Sequence, residues 1–514
     1  MRITFAGGIN ENASQSINEQ ECASGRNFEL GLNISHFKPR RSFNLFATAP
    51  VTTNVTSIMQ LVKRSGTVST LVGAGTAVYT LSSAPAFTSV GAMTAGSKLR
   101  DTYWPLDDYL IITDIQKTTV VKKWDGTTYG TLTTGLGTDL YARYGKVWNG
   151  RMWLFNVKTT TDTPHLMVAS EFEDPTSYDT SARSPQVTSF ATGNEAFYML
   201  TPDLRPINGV EVIQNQLVIS TESGRLYKLT GTDANDYQWE PFYLGSAAIG
   251  TEALVNIGND VAYLKQGGAI DLLSATQNFG DVRADDLTRW IQTSSSGITD
   301  AIAAYDQQRQ KVYWFTQNDT GTDGTVFVLF KDILPTGLSP WSIYKTDHAS
   351  RFLTSAVKYM YKPGTTEYYV FWGDSAGHVF YMDGADEGDG DTADEISTSR
   401  TTKLIDADAT ANVLIGSVRY RRLNEVSLSI KVEWAEDLSE STATVQLKGQ
   451  TEGSVFVWGG GSYWGAGSYW GSVTTSLRRP SGRSFSHVGY GPAFTVTASV
   501  TSEKEFHVDH LEWL

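Results

Sequence analysis

Four groupings along the chain carry residue types that could do chemistry. Gly91-Ala-Met-Thr-Ala-Gly96-Ser97-Lys98 has the glycines and the lysine of a phosphate-cradling loop. Lys98 follows Ser97 rather than the second glycine, however, and no buried strand before it or helix after it is discernible, so the segment reads as a turn. His507, Asp509 and His510 offer metal-ligand types. On a strand, His507 and Asp509 would share one face and His510 the other, which favours a polar edge strand over a metal centre. Asp107-Asp108 and the trio Glu171, Glu173 and Asp174 could supply the acid and base of a glycosidase. Carboxylates adjacent on a strand point apart, so these read as surface groups. No serine nucleophile elbow and no Cys/His pair is present. Cys22 is the single cysteine, which excludes an intramolecular disulfide and a Cys-rich zinc module. The expectation is no catalytic residue, no metal and no cofactor.

Two segments are stranger. Residues 383–395 hold seven acids and no base. They read as a solvated linker, with a calcium loop as the sharper alternative, although the twelve-residue ligand pattern with its closing Glu is not matched. Trp458, Trp464 and Trp470 recur every six residues within a Gly/Ser/Tyr-rich stretch, where Ser-Tyr-Trp-Gly appears twice. On an extended chain the three indoles would share one face. They could meet a partner subunit, a glycan or a membrane, or simply pack on a sheet relieved by glycines.

The elements that would position these groups are strands. The chain has 514 residues, 47 Gly, 24 Tyr, 22 Phe and 14 Trp, with 40% hydrophobic residues and no long Ala/Leu/Glu/Lys-rich stretch. That composition favours strands and turns in a globular, multidomain chain and excludes dominant disorder. Apolar runs begin near 109, 151, 216, 261, 311 and 368, at intervals of 42, 65, 45, 50 and 57 residues, and several pair with a second run as hairpins. An earlier hairpin, Val68 to Leu81, is a candidate for one more unit. A hairpin repeat of about 40–50 residues is the mark of propeller blades. The expected fold is therefore all-β, a β-propeller over 65–395 with a smaller β domain over 396–514 and an N-terminal arm over 1–64; an irregular β-sandwich is the alternative.

Charge is partitioned. Residues 1–64 carry +3, 65–399 carry −16 and 400–514 carry −1, for a net of −14 overall. An acidic chain does not wrap duplex DNA by neutralising phosphates. Neither an apolar leader nor a window of membrane-spanning length is found, so the chain is expected to be soluble and made in the cytoplasm. The basic first region is expected to dock on a neighbouring protein.

Several segments together resemble the β-propeller tail proteins of short-tailed bacteriophages, known as nozzle, tail-hub or packaged-DNA-stabilisation proteins. These are Phe5-Ala-Gly7-Gly8-Ile9-Asn10 with Glu21 and Asn27-Phe28-Glu29-Leu30; Ala169-Ser170 through Asp174-Pro175 to Tyr178; and Asp203-Leu-Arg205-Pro206-Ile-Asn-Gly209 leading to Tyr227-Lys-Leu-Thr-Gly231. The Trp/Gly-rich stretch and Arg478-Arg479-Pro-Ser-Gly482-Arg483 also fit. The resemblance implies a virion structural protein, not an enzyme, assembled in the host cytoplasm and residing in the virion tail. It implies a homo-oligomer, a hexameric ring beneath the portal adaptor and beside other tail proteins. Genomic DNA would pass through its lumen without sequence-specific binding, and its distal tip could face the host surface. An acidic lumen would repel phosphate and let DNA slide. The rival is a propeller tail protein that binds or hydrolyses carbohydrate.

Overall fold

The structure is a computed structural model. It describes residues 2–3, 6–12, 20–31, 37–83, 86–136, 139–178, 190–213, 215–243, 252–272 without 253, 259, 266 and 267, 287–317 without 297 and 299, 324–346, 352–383 without 353, 396–401, 405–406, 413–422, 426–434, 440–447, 481–488, 493–502 and 506–513. The chain divides into two units, one of 43–329 with 345–383 and one of 1–42, 330–344 and 384–514.

The first unit is a seven-bladed β-propeller. Blade 1 is Val55–Val62, Val68–Ala74, Ala77–Leu81 and Phe87–Ala92. Blade 2 is Leu99–Trp104, Tyr109–Asp114, Lys122–Trp124 and Tyr129–Thr131. Blade 3 is Tyr141–Trp148, Arg151–Lys158, Asp162–Ala169 and Phe197–Leu200, and blade 4 is Ile207–Ile213, Gln216–Thr221, Leu226–Thr230 and Gln238–Tyr243. Blade 5 contributes Leu254–Asn256, Val261–Leu264 and Ile270–Leu272, and blade 6 contributes Asp300–Asp306, Lys311–Gln317 and Gly324–Phe330. Blade 7 joins Val357–Tyr361, Tyr368–Gly373 and His378–Tyr381 to Asn44–Thr48 from the opposite end of the unit. The first strand of every blade neighbours the first strand of the next, and Val357–Tyr361 returns to Val55–Val62, closing the circle.

The apolar runs that betray the repeat in the sequence are the second strands, and the hairpin from Val68 is the seventh of them. Tyr109–Asp114 and Val261–Leu264 are buried along their whole length. A second strand is covered by a neighbouring blade on each face, so it reads as a continuous apolar run rather than an alternating one. Between blades 1 and 7, for example, Val72 and Tyr79 share a core with Phe371 and Tyr381. At the closing seam the rings of Phe43 and Phe380 meet edge to face at 5.5 Å, and Phe43 also meets Trp372 at 5.2 Å.

Apart from the strand Trp341–Tyr344, the second unit pairs its strands into two antiparallel sheets. One runs Arg2–Ile3, Phe506–Trp513, Val413–Arg422, Ser481–Val488. The other runs Ser24–Arg26, Ile396–Thr401, Ala493–Ser502, Val426–Trp434, Glu440–Leu447, with Ile405–Asp406 also on Ala493–Ser502. Leu428, Ile430 and Val432 are buried, while Ser429 and Lys431 between them are half-buried, which is the alternation of a sheet with one covered face.

These boundaries differ from those expected of the sequence. Asn44–Thr48 and Val55–Val62 are propeller strands, so 43–64 belongs to the blades and not to an arm. The segment before it is built into the second unit: Phe28 and Phe37 are fully buried, Ser24–Arg26 pairs with Ile396–Thr401, and Asn27 donates to the Ser397 carbonyl at 2.8 Å. Apolar side chains at those positions cannot remain in a solvated arm. The second domain is accordingly discontinuous rather than confined to 396–514. Residues 384–395 lie outside the described residues.

Because both sides of 384–395 contribute strands to one unit, cutting there is not expected to release a domain. With a protease site inserted in 384–395, the two fragments should co-elute under native conditions and separate only in denaturant. Separation in native buffer would contradict the discontinuous unit.

Candidate functional site

The first strand of a blade has one edge bonded to its own sheet and the other facing the propeller axis. Its outward N–H and C=O groups need partners that no further strand can supply. Side chains from adjacent blades supply them. Between blades 7 and 1, Gln60 accepts from the Tyr361 N–H at 2.9 Å and donates to the Tyr361 carbonyl at 2.8 Å. Between blades 1 and 2, Asp101 accepts from the Gln60 N–H at 3.2 Å and Ser57 from the Leu99 N–H at 2.7 Å. Thr102 donates to the Gly145 carbonyl at 2.7 Å, Tyr144 to that of Asn208 at 2.8 Å, and Asn256 to that of Val212 at 3.0 Å, which carries the pattern through blade 5.

The ionic groups at the axis are matched in the same way. Arg100 of blade 2 forms a two-pronged pair with Glu252, with Nη2 to Oε2 at 2.5 Å. The same guanidinium donates to the Ser355 carbonyl at 2.6 Å and to that of Thr56 at 3.2 Å, so one side chain ties blades 1 and 2 to the connections that open blades 5 and 7. Burial works against its charge, but Glu252 together with Asp101 and Asp114 outweighs that and holds the Arg100 pKa above its usual value. Lys358 meets Asp101 at 2.5 Å, and Lys146 meets Glu211 at 2.8 Å. Burial raises the Asp300 carboxyl pKa, against the pull of Lys98.

A second polar cluster sits at blades 6 and 7. Asp383, buried, accepts from Tyr313 at 2.7 Å and from Lys311 at 3.2 Å, with Arg309 at 3.6 Å. Arg309 also donates to Asp306 at 2.8 Å and to the Tyr368 carbonyl at 3.1 Å. Burial opposes the Asp383 charge, yet Lys311, Tyr313 and Arg309 outweigh it and hold its carboxyl below the ordinary range.

The groups singled out in the sequence do not converge. Gly91 lies in strand Phe87–Ala92 of blade 1, and a Cβ there would meet the Tyr129 ring at 2.2 Å, so the glycine serves packing. Asp108 accepts from the Arg64 N–H at 3.1 Å and from the Tyr103 hydroxyl at 2.5 Å. Asp174 closes a turn by accepting from the Thr176 N–H at 2.9 Å, and Glu171 bridges to Asp174 through the backbone. His507 and His510 lie on Phe506–Trp513, whose register on Val413–Arg422 shifts at Asp509. That strand is not a plain edge: Arg2–Ile3 adds to its other side at Leu511 and Glu512. Cys22 is buried, and burial raises its thiol pKa. Among the described residues no group of three or more His, Cys, Asp or Glu is placed to hold a metal ion. Residues 448–480, with the tryptophan repeat and Arg478-Arg479, lie outside the described residues.

The segments that carried the family resemblance are structural joints. A Cβ on Gly8 would lie 2.2 Å from the Trp341 carbonyl oxygen, so only glycine fits. Glu21 accepts from the Ser339 N–H at 2.5 Å and from the Asn10 amide at 2.7 Å, and Glu29 from the Tyr344 hydroxyl at 2.8 Å. The Ser170 hydroxyl accepts from the Met152 N–H at 3.0 Å, and Asp203 holds Ser223 at 2.6 Å and Thr221 at 2.8 Å. The axial residues escaped sequence reasoning because Arg100 and Glu252 are 152 residues apart and neither sits in a local motif.

The propeller thus defines the class of the larger unit. No family model matches the chain, and no curated protein matches it. Among solved structures, virginiamycin B lyase from Staphylococcus aureus is 10% identical, covering 65% of this chain and 96% of that one with a TM-score of 0.41. YCF48 bound to a D1 peptide is 9% identical over 65% and 93%, with a TM-score of 0.38. The propeller domain of Cps50 (Swd1) from Myceliophteria thermophila is 12% identical over 67% and 100%, with a TM-score of 0.37. The fold rests on the strand pairings themselves, and no activity transfers at such distances.

Two measurements follow from the polar networks. Removing one partner of this half-buried pair leaves the other charge poorly matched, so Arg100→Met and Glu252→Gln should each lower stability by about 1–3 kcal/mol, and the double variant by clearly less than their sum. Additive losses in urea unfolding would mean that the pair does not couple. A carboxylate depressed in the folded state stabilises above its unfolded pKa and loses that contribution as pH falls through the folded value. Asp383→Asn should therefore flatten the loss of stability below about pH 4, read from urea midpoints. An acid limb as steep as that of the unmodified protein would remove Asp383 from the account.

Proposed function

We propose that the chain is a structural protein of a short phage tail: one copy of a ring that retains the genome and then conducts it, with the passage built between copies and not through any single propeller. The observation that supports this reading is the closed axis, where Arg100 reaches Glu252 and the carbonyls of two further blades. A propeller knit across its own axis is a rigid block suited to repeated assembly. The residues of the family segments bear on this too, since Gly8, Glu21, Ser170 and Asp203 hold backbone joints and none presents a reactive group.

The propeller carries 24 Lys+Arg against 32 Asp+Glu, a net of −8. The acidic excess of the central sequence is therefore shared with 384–395, which adds six acids and no base. Like sign along a passage lowers phosphate affinity and favours sliding. Sedimentation and low-resolution imaging of the purified chain decide between the readings. A closed ring with an axial passage wide enough for duplex DNA is the expected result. A monomer that binds glycan would replace this proposal with the carbohydrate-directed alternative.

A further inference from the structure

In an antiparallel blade, the turns from first to second strand and from third to fourth strand emerge on the same face of the propeller. On blades 2 and 3 this face exposes two large apolar side chains, Leu106 at 45% and Phe172 at 40%. Both sit on fixed backbone. Leu106 lies in the turn whose Asp108 is bonded to the tip of blade 1, and the Glu173 N–H beside Phe172 donates to the Gly150 carbonyl at 2.8 Å. Gly150 has φ 68°, and a Cβ there would meet the Phe172 ring at 2.4 Å, so the glycine makes the seat for that ring.

The turns on this face of blades 2 to 4 carry four exposed carboxylates: Asp107 on blade 2, Glu171 and Glu173 on blade 3, and Asp236 on blade 4, the last also accepting from the Thr232 hydroxyl at 2.9 Å. The described turns of blades 2 to 4 on this face contain no Lys or Arg. The turns are joined to one another, with Asn149 donating to the Gly231 carbonyl at 2.7 Å and the Ala234 N–H to that of Gly193 at 3.1 Å. Basic groups bound this surface on the blade 1 side and reach the blade 2 turns: Lys63 lies against Gly126, the Arg64 N–H donates to Asp108 at 3.1 Å, and Lys123 sits over the Tyr109 ring at 3.9 Å.

We infer that this face of blades 2 to 4 docks a basic protein segment, one that presents apolar side chains to Leu106 and Phe172 and Lys or Arg to the carboxylates of these turns. Charge complementarity selects that occupant. The same field repels nucleic acid. Apolar contact supplies the area and the carboxylates supply orientation and on-rate. The surface stands on its own observations and does not depend on the tail reading.

The test uses the full chain and labelled synthetic peptides, Lys-Leu-Lys-Lys-Leu-Lys and hexalysine, followed by fluorescence anisotropy at about physiological salt. The Lys/Leu peptide should bind more tightly than hexalysine. Glu171→Lys with Glu173→Lys should weaken it at least tenfold with thermal melting unchanged, because both carboxylates are exposed, and Phe172→Ser alone should remove its advantage over hexalysine while the chain stays folded with only a small drop in melting temperature, because the ring gives up its seat on Gly150. Equal binding of the two peptides by the unmodified chain would overturn the apolar part. An equal loss from Glu222→Lys, on the opposite face, would reduce the effect to net charge and overturn the site. Self-association abolished by Phe172→Ser would assign the face to a second copy and likewise overturn the proposal.

Discussion

The propeller depends on what happens at seven unpaired strand edges. A sheet arranged radially leaves its first strand open toward the axis, where no eighth strand fits and where each orphaned amide costs free energy once water is squeezed out. Side chains from neighbouring blades meet this need. Gln60 binds both main-chain groups of Tyr361, Asp101 takes the Gln60 amide, and Thr102 and Tyr144 pass the pattern onward. Apolar cores between blades provide most of the burial, but they are tolerant of sliding. Directional bonds at the axis set the register of one blade against the next.

The same requirement explains the charged groups that would otherwise look like a reactive centre. Arg100, Asp101, Glu252 and Lys358 are half-buried, ionic and close together, which is how catalytic sites also look. Their partners are main-chain carbonyls and amides of the strand edges and of one another. An open ligand cradle would instead leave donors pointing into a cleft. Asp383 plays a comparable part at the seam, where the last residues of the propeller meet Lys311, Tyr313 and Arg309 just beside the strand Asn44–Thr48 that closes the ring.

Much of the propeller was legible in the sequence because second strands such as Tyr109–Asp114 are buried on both faces and stand out as apolar runs at blade-length intervals. The turn pair Asn149-Gly150 was legible for a local reason: both residues take positive φ, 49° and 68°, as a two-residue hairpin turn requires. The limits of the units were not legible. Val55–Val62 begins inside what charge alone marked as a basic arm, and Ser24–Arg26 pairs with a strand some 370 residues later, from which Arg400 lies over the buried ring of Phe28. The axial network was hidden for the same reason, since its bonds join residues separated by 41 to 301 positions. Long-range pairing of single polar residues leaves no periodic trace.

The sealing of the inner edges is the claim on which the rest stands, and amide hydrogen exchange reads it directly. The amides of Gln60, Leu99 and Tyr361, which among the described residues donate to side chains of a neighbouring blade, should exchange as slowly as those of the central strand Tyr109–Asp114. Exchange at those three positions as fast as in exposed turns such as 64–67 would show an open axial edge and contradict the account.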